Sequence, residues 1–301
     1  RIIKPEDFTL NNKHQNMKKI ITTAVAFLIS LYSFSQSETE PYTLQALLDS
    51  GIVKTEIRSL GGHQEDCIEI RLKNISDNHF YLKLEPGRRL VSLDTSIQDI
   101  FIVKERIIAC APDEQIEFSG YGFCCQSSNS SPYSEAVFSP GYMEDEKWIS
   151  VAEVINAHNF PPSAIQSAVW ILSDNHSFSS LHADDMESIL PLRLALAEEL
   201  NVEMSWYTLT YVQDTTVLFT DRPKTISGSF DFVLRNNSLV SVNIRKSSGE
   251  LMTTLVKGAP KNPGTYTQKI QLNVRDWPKG SYEVRVIQDN SNIIDRRKFE
   301  L

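Results

Sequence analysis

The chain has 301 residues, with 30 Lys and Arg against 38 Asp and Glu and a formal net charge of −8. At 41% apolar and 23% charged it has the makeup of a globular protein, and its length allows two ordinary domains. Mild acidity without any Lys/Arg cluster disfavours a nucleic-acid partner, and four cysteines at spacings unlike separated ligand pairs disfavour a zinc site.

Residues 17–36, MKKIITTAVAFLISLYSFSQ, are read as an export signal. Lys18 and Lys19 form the positive start, and residues 20–31 form an apolar core of about twelve residues. Ser33 and Ser35 place small side chains before a cut ahead of Gln36. That core is shorter than the roughly twenty residues a spanning helix needs, so the mature chain is expected to carry no membrane span. The signal peptide is thus residues 17–35, and residues 1–16, ahead of Met17, read as an over-extended gene model. Export to the periplasm, the cell surface or the medium is the expectation.

A short helix is expected around Tyr42 to Ser50, stopped by Gly51. Ile68, Ile70 and Leu72 then alternate with charged residues, and Phe80, Leu82 and Leu84 alternate again. Further short strands are expected at Asp99 to Val103 and Glu114 to Phe118. Strands about ten residues apart with turns between them predict an antiparallel sandwich. At Trp148, Val151, Ala152 and Ile155 the spacing becomes helical, and Pro161 and Pro162 break it. Ser163 is the expected cap of a second helix, with Ile165, Ala168, Val169 and Leu172 on one face. A third helix is expected over Asp184 to Leu200, kinked at Pro191. Strand alternation returns at Tyr207, Leu209 and Tyr211, and Asp221 to Pro223 reads as a boundary loop. Roughly seven short strands then follow, the profile of an immunoglobulin-like sandwich. The prediction is a mainly β, α+β chain. A β-sandwich occupies residues 40–200, with helices in 144–200, and an Ig-like sandwich occupies 203–301.

Three resemblances add to this reading. The signal ending Ser-Phe-Ser-Gln is similar to those of secreted Bacteroidetes proteins. The tail runs SSGELMTTLVKG and DWPKGSYEVRVIQ, with Gly249, Lys279, Gly280 and Tyr282 at the matching places. It resembles the Ig-like repeats of flagellar hook-cap proteins and the C-terminal sorting domains of type IX secretion. The latter implies a surface or extracellular destination. Phe123-Cys124-Cys125, followed by Gln166, Ala168, Val169 and Trp170, resembles the thioester domains of bacterial surface adhesins. That resemblance implies a Cys124–Gln166 thioester that acylates an amine, with Trp170 shielding the bond. The chain departs from the adhesin pattern in its short Cys-to-Gln interval, its doubled cysteine, and the lack of an Asp after the cysteine.

Other candidates come from the residues alone. In an oxidising compartment Cys110 is expected to pair with Cys124 or Cys125, with Cys67 buried or paired to the remaining one. Cys124 or Cys125 with His158 would make a thiol hydrolase, although neither cysteine has a family signature around it. His176, His182 and Asp184, near Asp174 and Asp185, are weak metal candidates without a recognised spacing. Tyr121, Phe123, Tyr133 and Tyr142 are candidates for a sugar- or protein-binding face. No cofactor is expected. The function expected from sequence is non-catalytic binding or adhesion to a surface ligand, protein or glycan. The alternatives are a covalent thioester adhesin and a thiol hydrolase.

Overall fold

Alternating apolar residues can bury one face of a strand only against another apolar layer, and here they do so in three separate cores. The structure is a computed structural model, and it describes residues 40–214 and 217–301. The signal segment and the residues before it lie outside the described residues.

Strand β1 (Tyr42–Thr43) leads into helix α1 (Leu44–Asp49). The Thr43 hydroxyl accepts from the Ala46 N–H at 3.1 Å, and Gly51 leaves the helix at φ +68°. Then come β2 (Val53–Ser59), β3 (Gln64–Asn74), β4 (Phe80–Leu84), β5 (Arg88–Ser92) and β6 (Ile100–Ile102). They are followed by β7 (Arg106–Cys110), β8 (Gln115–Cys124) and β9 (Val137–Met143).

Where alternation pointed to an open sandwich, six of these strands close into a barrel in the order β2-β3-β8-β6-β5-β9. A small sheet, β1-β4-β7, lies beside it. Closure leaves the barrel no free edge, and two devices let the strands bend enough to achieve it. The β3–β8 pairing skips a residue at Cys67, and the β5–β9 pairing skips between Arg89 and Val91. At the second skip Gly141 sits at φ +60°, where a Cβ would lie 1.7 Å from the Arg89 carbonyl oxygen. Only glycine fits there.

The helices form a layer against the barrel. Helix α2 (Glu146–Ala157) is capped by Asp145, whose Oδ1 accepts from the Lys147 and Trp148 N–H groups at 3.1 and 3.3 Å. Helix α3 (Pro162–Asp174) starts two residues earlier than expected, with Pro161 at the cap position and Ser163 already inside. Proline suits the first turn, because its missing N–H has no helical partner to lose. The same reason shortens the third helix. Helix α4 runs over Leu190–Leu200, with Pro191 in its first turn, not at a kink. Val151, Ala152, Ile155, Ile165, Ala168, Val169 and Leu192 bury together with Phe101, Phe123 and Cys125. Each large aliphatic side chain so buried contributes about 1.5–3 kcal/mol.

The C-terminal part is a seven-stranded sandwich. One sheet is β10-β11-β14, from Tyr207–Tyr211, Pro223–Leu234 and Gly264–Asn273. The other is β13-β12-β15-β16, from Leu251–Lys261, Ser238–Lys246, Ser281–Gln288 and Asn292–Glu300. Strand β10 pairs with β11, and Trp206 packs edge-on to Phe230 and Phe299. The sandwich therefore starts ahead of Tyr207, and Asp221 to Pro223 is the entry to β11 within it. Residues Pro41–Leu301 form one compact unit, because β10 also packs on the 3-10 turn Phe178–Ser180. Among the described residues the fold is mainly β with four short helices, as the alternation predicted.

Candidate functional site

Helix α3 has two unlike faces. Ala164, Ile165, Ala168 and Val169 go into the helix-side core. Ser163, Gln166, Ser167 and Trp170, spaced i, i+3, i+4 and i+7, line the wall of a cavity of about 590 Å³. Strand β8 sets what lies behind this face. Its residues alternate, so Phe123 and Cys125 pack with the helices while Cys124 packs with the barrel core. Antiparallel pairing of β3 and β8 places Gln64 opposite Phe123, and the Cys124 N–H donates to the His63 carbonyl at 2.9 Å. This register brings His63 and Gln64 to the same cavity. The opposite wall is Leu209 to Tyr211 of β10 with Val217 to Thr220.

Three polar side chains lining this cavity each carry a buried atom without a partner among the described residues. Gln166 is 3% exposed; its Nε2 donates to the Cys124 carbonyl at 2.8 Å, but its Oε1 accepts nothing. The Trp170 Nε1–H and the Ser180 hydroxyl likewise meet no partner, in residues that are each 8% exposed. A buried unmet donor or acceptor costs about 1–3 kcal/mol.

The aromatic residues of the site are in mutual contact. Trp170 lies 5.8 Å from both His176 and Phe219, and Phe219 lies 4.0 Å from His176 and 5.0 Å from Tyr211. The His176 Nε2 is 2.9 Å from the Ser127 Oγ, and both Asp174 carboxylate oxygens accept from the Ser127 N–H at 3.1 Å. His182 Nδ1 is 3.2 Å from the Thr208 Oγ1. Burial lowers the pKa of His63, His176 and His182; Asp174 and then Asp221 partly oppose this at His176. Burial, helped by Asp221, pushes the Tyr211 phenol up to about 12. At neutral pH the wall therefore carries neutral imidazoles and a neutral phenol.

The expected disulfides are not formed. Cys67, Cys110, Cys124 and Cys125 are free and buried. Cys124 and Cys125 are adjacent in an extended segment and point to opposite cores, while Cys110 ends β7, which pairs with β4 and not with β8. Burial pushes the Cys67 thiol up to about 12 and raises Cys110, Cys124 and Cys125 as well. Desolvation disfavours the thiolate that a nucleophilic cysteine needs. His158 is engaged elsewhere: its Nδ1 is 2.9 Å from the Val154 carbonyl and its ring stacks on Phe160.

Gln166 and Cys124 do come together, through the Cys124 carbonyl, while the Cys124 side chain packs in the barrel-side core. Trp170 stands one turn beyond Gln166, as the spacing implied. His176 and His182 share the cavity wall, but each is taken by a hydroxyl. Asp184 does not line this cavity, and no group of three metal-ligating side chains occurs among the described residues. The four candidate aromatics do not form one face. Phe123 is fully buried against Tyr121, whereas Tyr133 and Tyr142 are exposed. Sequence reading missed His63, Ser180, Tyr211 and Phe219. The run HSFSSLH at 176–182 and the polar stripe of α3 are the signals that lay there to be found.

No protein-family model and no curated protein matches the chain. Two solved structures of the β-glucosidase from Kluyveromyces marxianus, one selenomethionine-labelled and one in complex with glucose, are similar at 11% and 10% identity. Each match covers 78% of this chain and 44% of the enzyme, at a TM-score of 0.20. Similarity of that order carries no argument about fold or function.

Proposed function

We propose that this is an exported, non-catalytic binding protein of the adhesion type, with its ligand seated in the cavity beside α3. The observation that carries the reading is that three residues with a buried, unpartnered polar atom, Gln166 (Oε1), Trp170 (Nε1) and Ser180 (Oγ), stand in the wall of one cavity. Several kcal/mol of unmet hydrogen bonding in one place is tolerated where a ligand supplies the partners. The buried, protonated cysteines support binding over thiol chemistry. The lysine pair, apolar core and small-residue cut of residues 17–36 support export, and the Ig-like tail supports a surface or extracellular setting. The test is reversible capture by the immobilised mature chain from an array of surface proteins, peptides and glycans. Capture that Trp170→Phe weakens is expected, with the probe recovered unchanged. Chemical conversion of the probe, or no cavity-dependent capture at all, sinks the reading.

One observation favours a second reading, the covalent adhesin. The Gln166 carboxamide is hydrogen-bonded to the backbone of Cys124 itself. In that chemistry the Cys124 thiol adds to the Gln166 carboxamide carbon, ammonia leaves, and a thioester remains. The intact mass of protein purified without reductant then falls by one ammonia, and methylamine opens the bond as a covalent adduct on Gln166. A full mass with no adduct removes this reading.

A further inference from the structure

We infer that the ligand of this cavity is an uncharged carbohydrate; this rests on the binding reading above and names its ligand class. The chemistry of the wall decides between ligand classes. The only charged residue lining the cavity among the described ones is Asp214; no Lys, Arg or Glu is present. The His63, His176 and His182 rings are neutral at neutral pH, because burial lowers their pKa. A charged ligand would lose its hydration there and gain no cluster of counter-charges, which is costly. The three unmet atoms ask for opposite things: Gln166 Oε1 needs a donor, the Trp170 N–H needs an acceptor, and the Ser180 hydroxyl takes either. Neighbouring hydroxyl groups on one sugar ring supply both.

The rings supply the other half of sugar recognition. Trp170, His176, Phe219 and Tyr211 form a contiguous aromatic group, with Phe219 laid over His176 at 4.0 Å. An aromatic face takes the C–H face of a pyranose as it takes another apolar ring. The three polar atoms are out of contact with solvent, so a sugar reaches them only where the wall around them opens. An extended peptide is disfavoured. It would add to the edge strand β10, but β10 packs on the 3-10 turn Phe178–Ser180, and His182 takes the Thr208 hydroxyl.

The experiment uses the mature chain on a printed array of neutral oligosaccharides, sulfated and uronic-acid oligosaccharides, and peptides, with calorimetric titration of whatever binds. Trp170→Phe keeps a ring and removes the N–H; Ser180→Ala removes one hydroxyl. Thermal denaturation verifies that both variants fold. The expected result is binding of a neutral oligosaccharide that each variant weakens by on the order of tenfold. A deoxy analogue lacking the bonded hydroxyl should be rejected more strongly still. Cavity-dependent binding of a peptide or a charged glycan overturns the sugar assignment and leaves the binding reading standing. Neutral-sugar binding that neither variant weakens moves the site elsewhere and overturns the inference. Binding of nothing on the array overturns both.

Discussion

Arg88 is the largest fully buried side chain among the described residues, and replacing it by Met tests how the barrel is held shut. Its Nε and Nη2 donate to the two Glu85 carboxylate oxygens at 3.2 and 3.0 Å. Its Nη1 donates to the Pro140 carbonyl at 3.0 Å, and Nη1 and Nη2 both reach the Gln45 Oε1 at 3.3 Å. One guanidinium thus joins α1, β5 and the bulge of β9. In Arg88→Met the Glu85 carboxylate, 8% exposed, keeps only the Gln45 N–H at 3.2 Å, and the Pro140 and Gln45 oxygens lose this donor. Removing one partner of a buried pair costs about 3–5 kcal/mol, because the other charge stays behind. That is a large share of the roughly 5–15 kcal/mol that holds a domain folded. The loss corresponds to about 6–20 °C in melting temperature, at roughly 2–4 °C per kcal/mol for a domain of this size. Urea unfolding followed by far-ultraviolet circular dichroism gives the value directly. Adding Glu85→Leu to Arg88→Met removes the stranded charge and should recover at least half of the loss. A single-variant cost below about 1 kcal/mol, or no recovery in the double variant, refutes the argument that charge pairing in a dry site is what Arg88 does.

Acid should weaken the fold in a defined window. Burial lowers His63, His176 and His182 below their usual 6.5, so below that pH the unfolded chain takes up protons that the folded chain resists. The stability they contribute is complete above pH 6.5 and declines as pH falls from there toward the lowered folded-state values. A urea midpoint that does not drop between about pH 7.5 and about pH 5.5 contradicts this. Gly141→Ala should prevent soluble folding, because its methyl group lands on the Arg89 carbonyl; soluble expression with an unchanged melting temperature counts against the β9 bulge. A chain without disulfides should show four reactive thiols when denatured and almost none when native, as all four are buried. Three thiols in denaturant would point to the thioester, and two or none to disulfides.

Much of the architecture is written locally. Alternation at Ile68, Ile70 and Leu72, and at Val240, Val242 and Ile244, suffices to make strands, since one face of each must be buried. The helical spacing through Trp148 and Ile155, and the prolines in the first turns of α3 and α4, likewise set where helices form. Two residues of the resemblance built on Cys124, Gln166 and Trp170 stand in the cavity wall, Gln166 and Trp170. Closure of the first sheet into a barrel was not legible, because it depends on two bulges and on which strand ends meet, and neither is a property of a short window. Nor was the side to which each cysteine turns. Which of the two opposite cores Cys124 and Cys125 each face is set by the register of β8 against β3, 55 residues away at the Cys67–Gly122 contact.

The sequence by itself determined the composition class and a chain of strands interrupted by helices before an immunoglobulin-like tail. Those are local matters of periodicity, turn chemistry and charge. The cavity belongs to tertiary structure alone. Its polar atoms come from β3, α3, the 3-10 turn and β10, segments that meet only when barrel, helices and sandwich pack as one unit. Whether a buried Gln, Trp or Ser finds a hydrogen-bond partner is decided by what the rest of the chain places within about 3 Å of it, and no run of neighbouring residues carries that information.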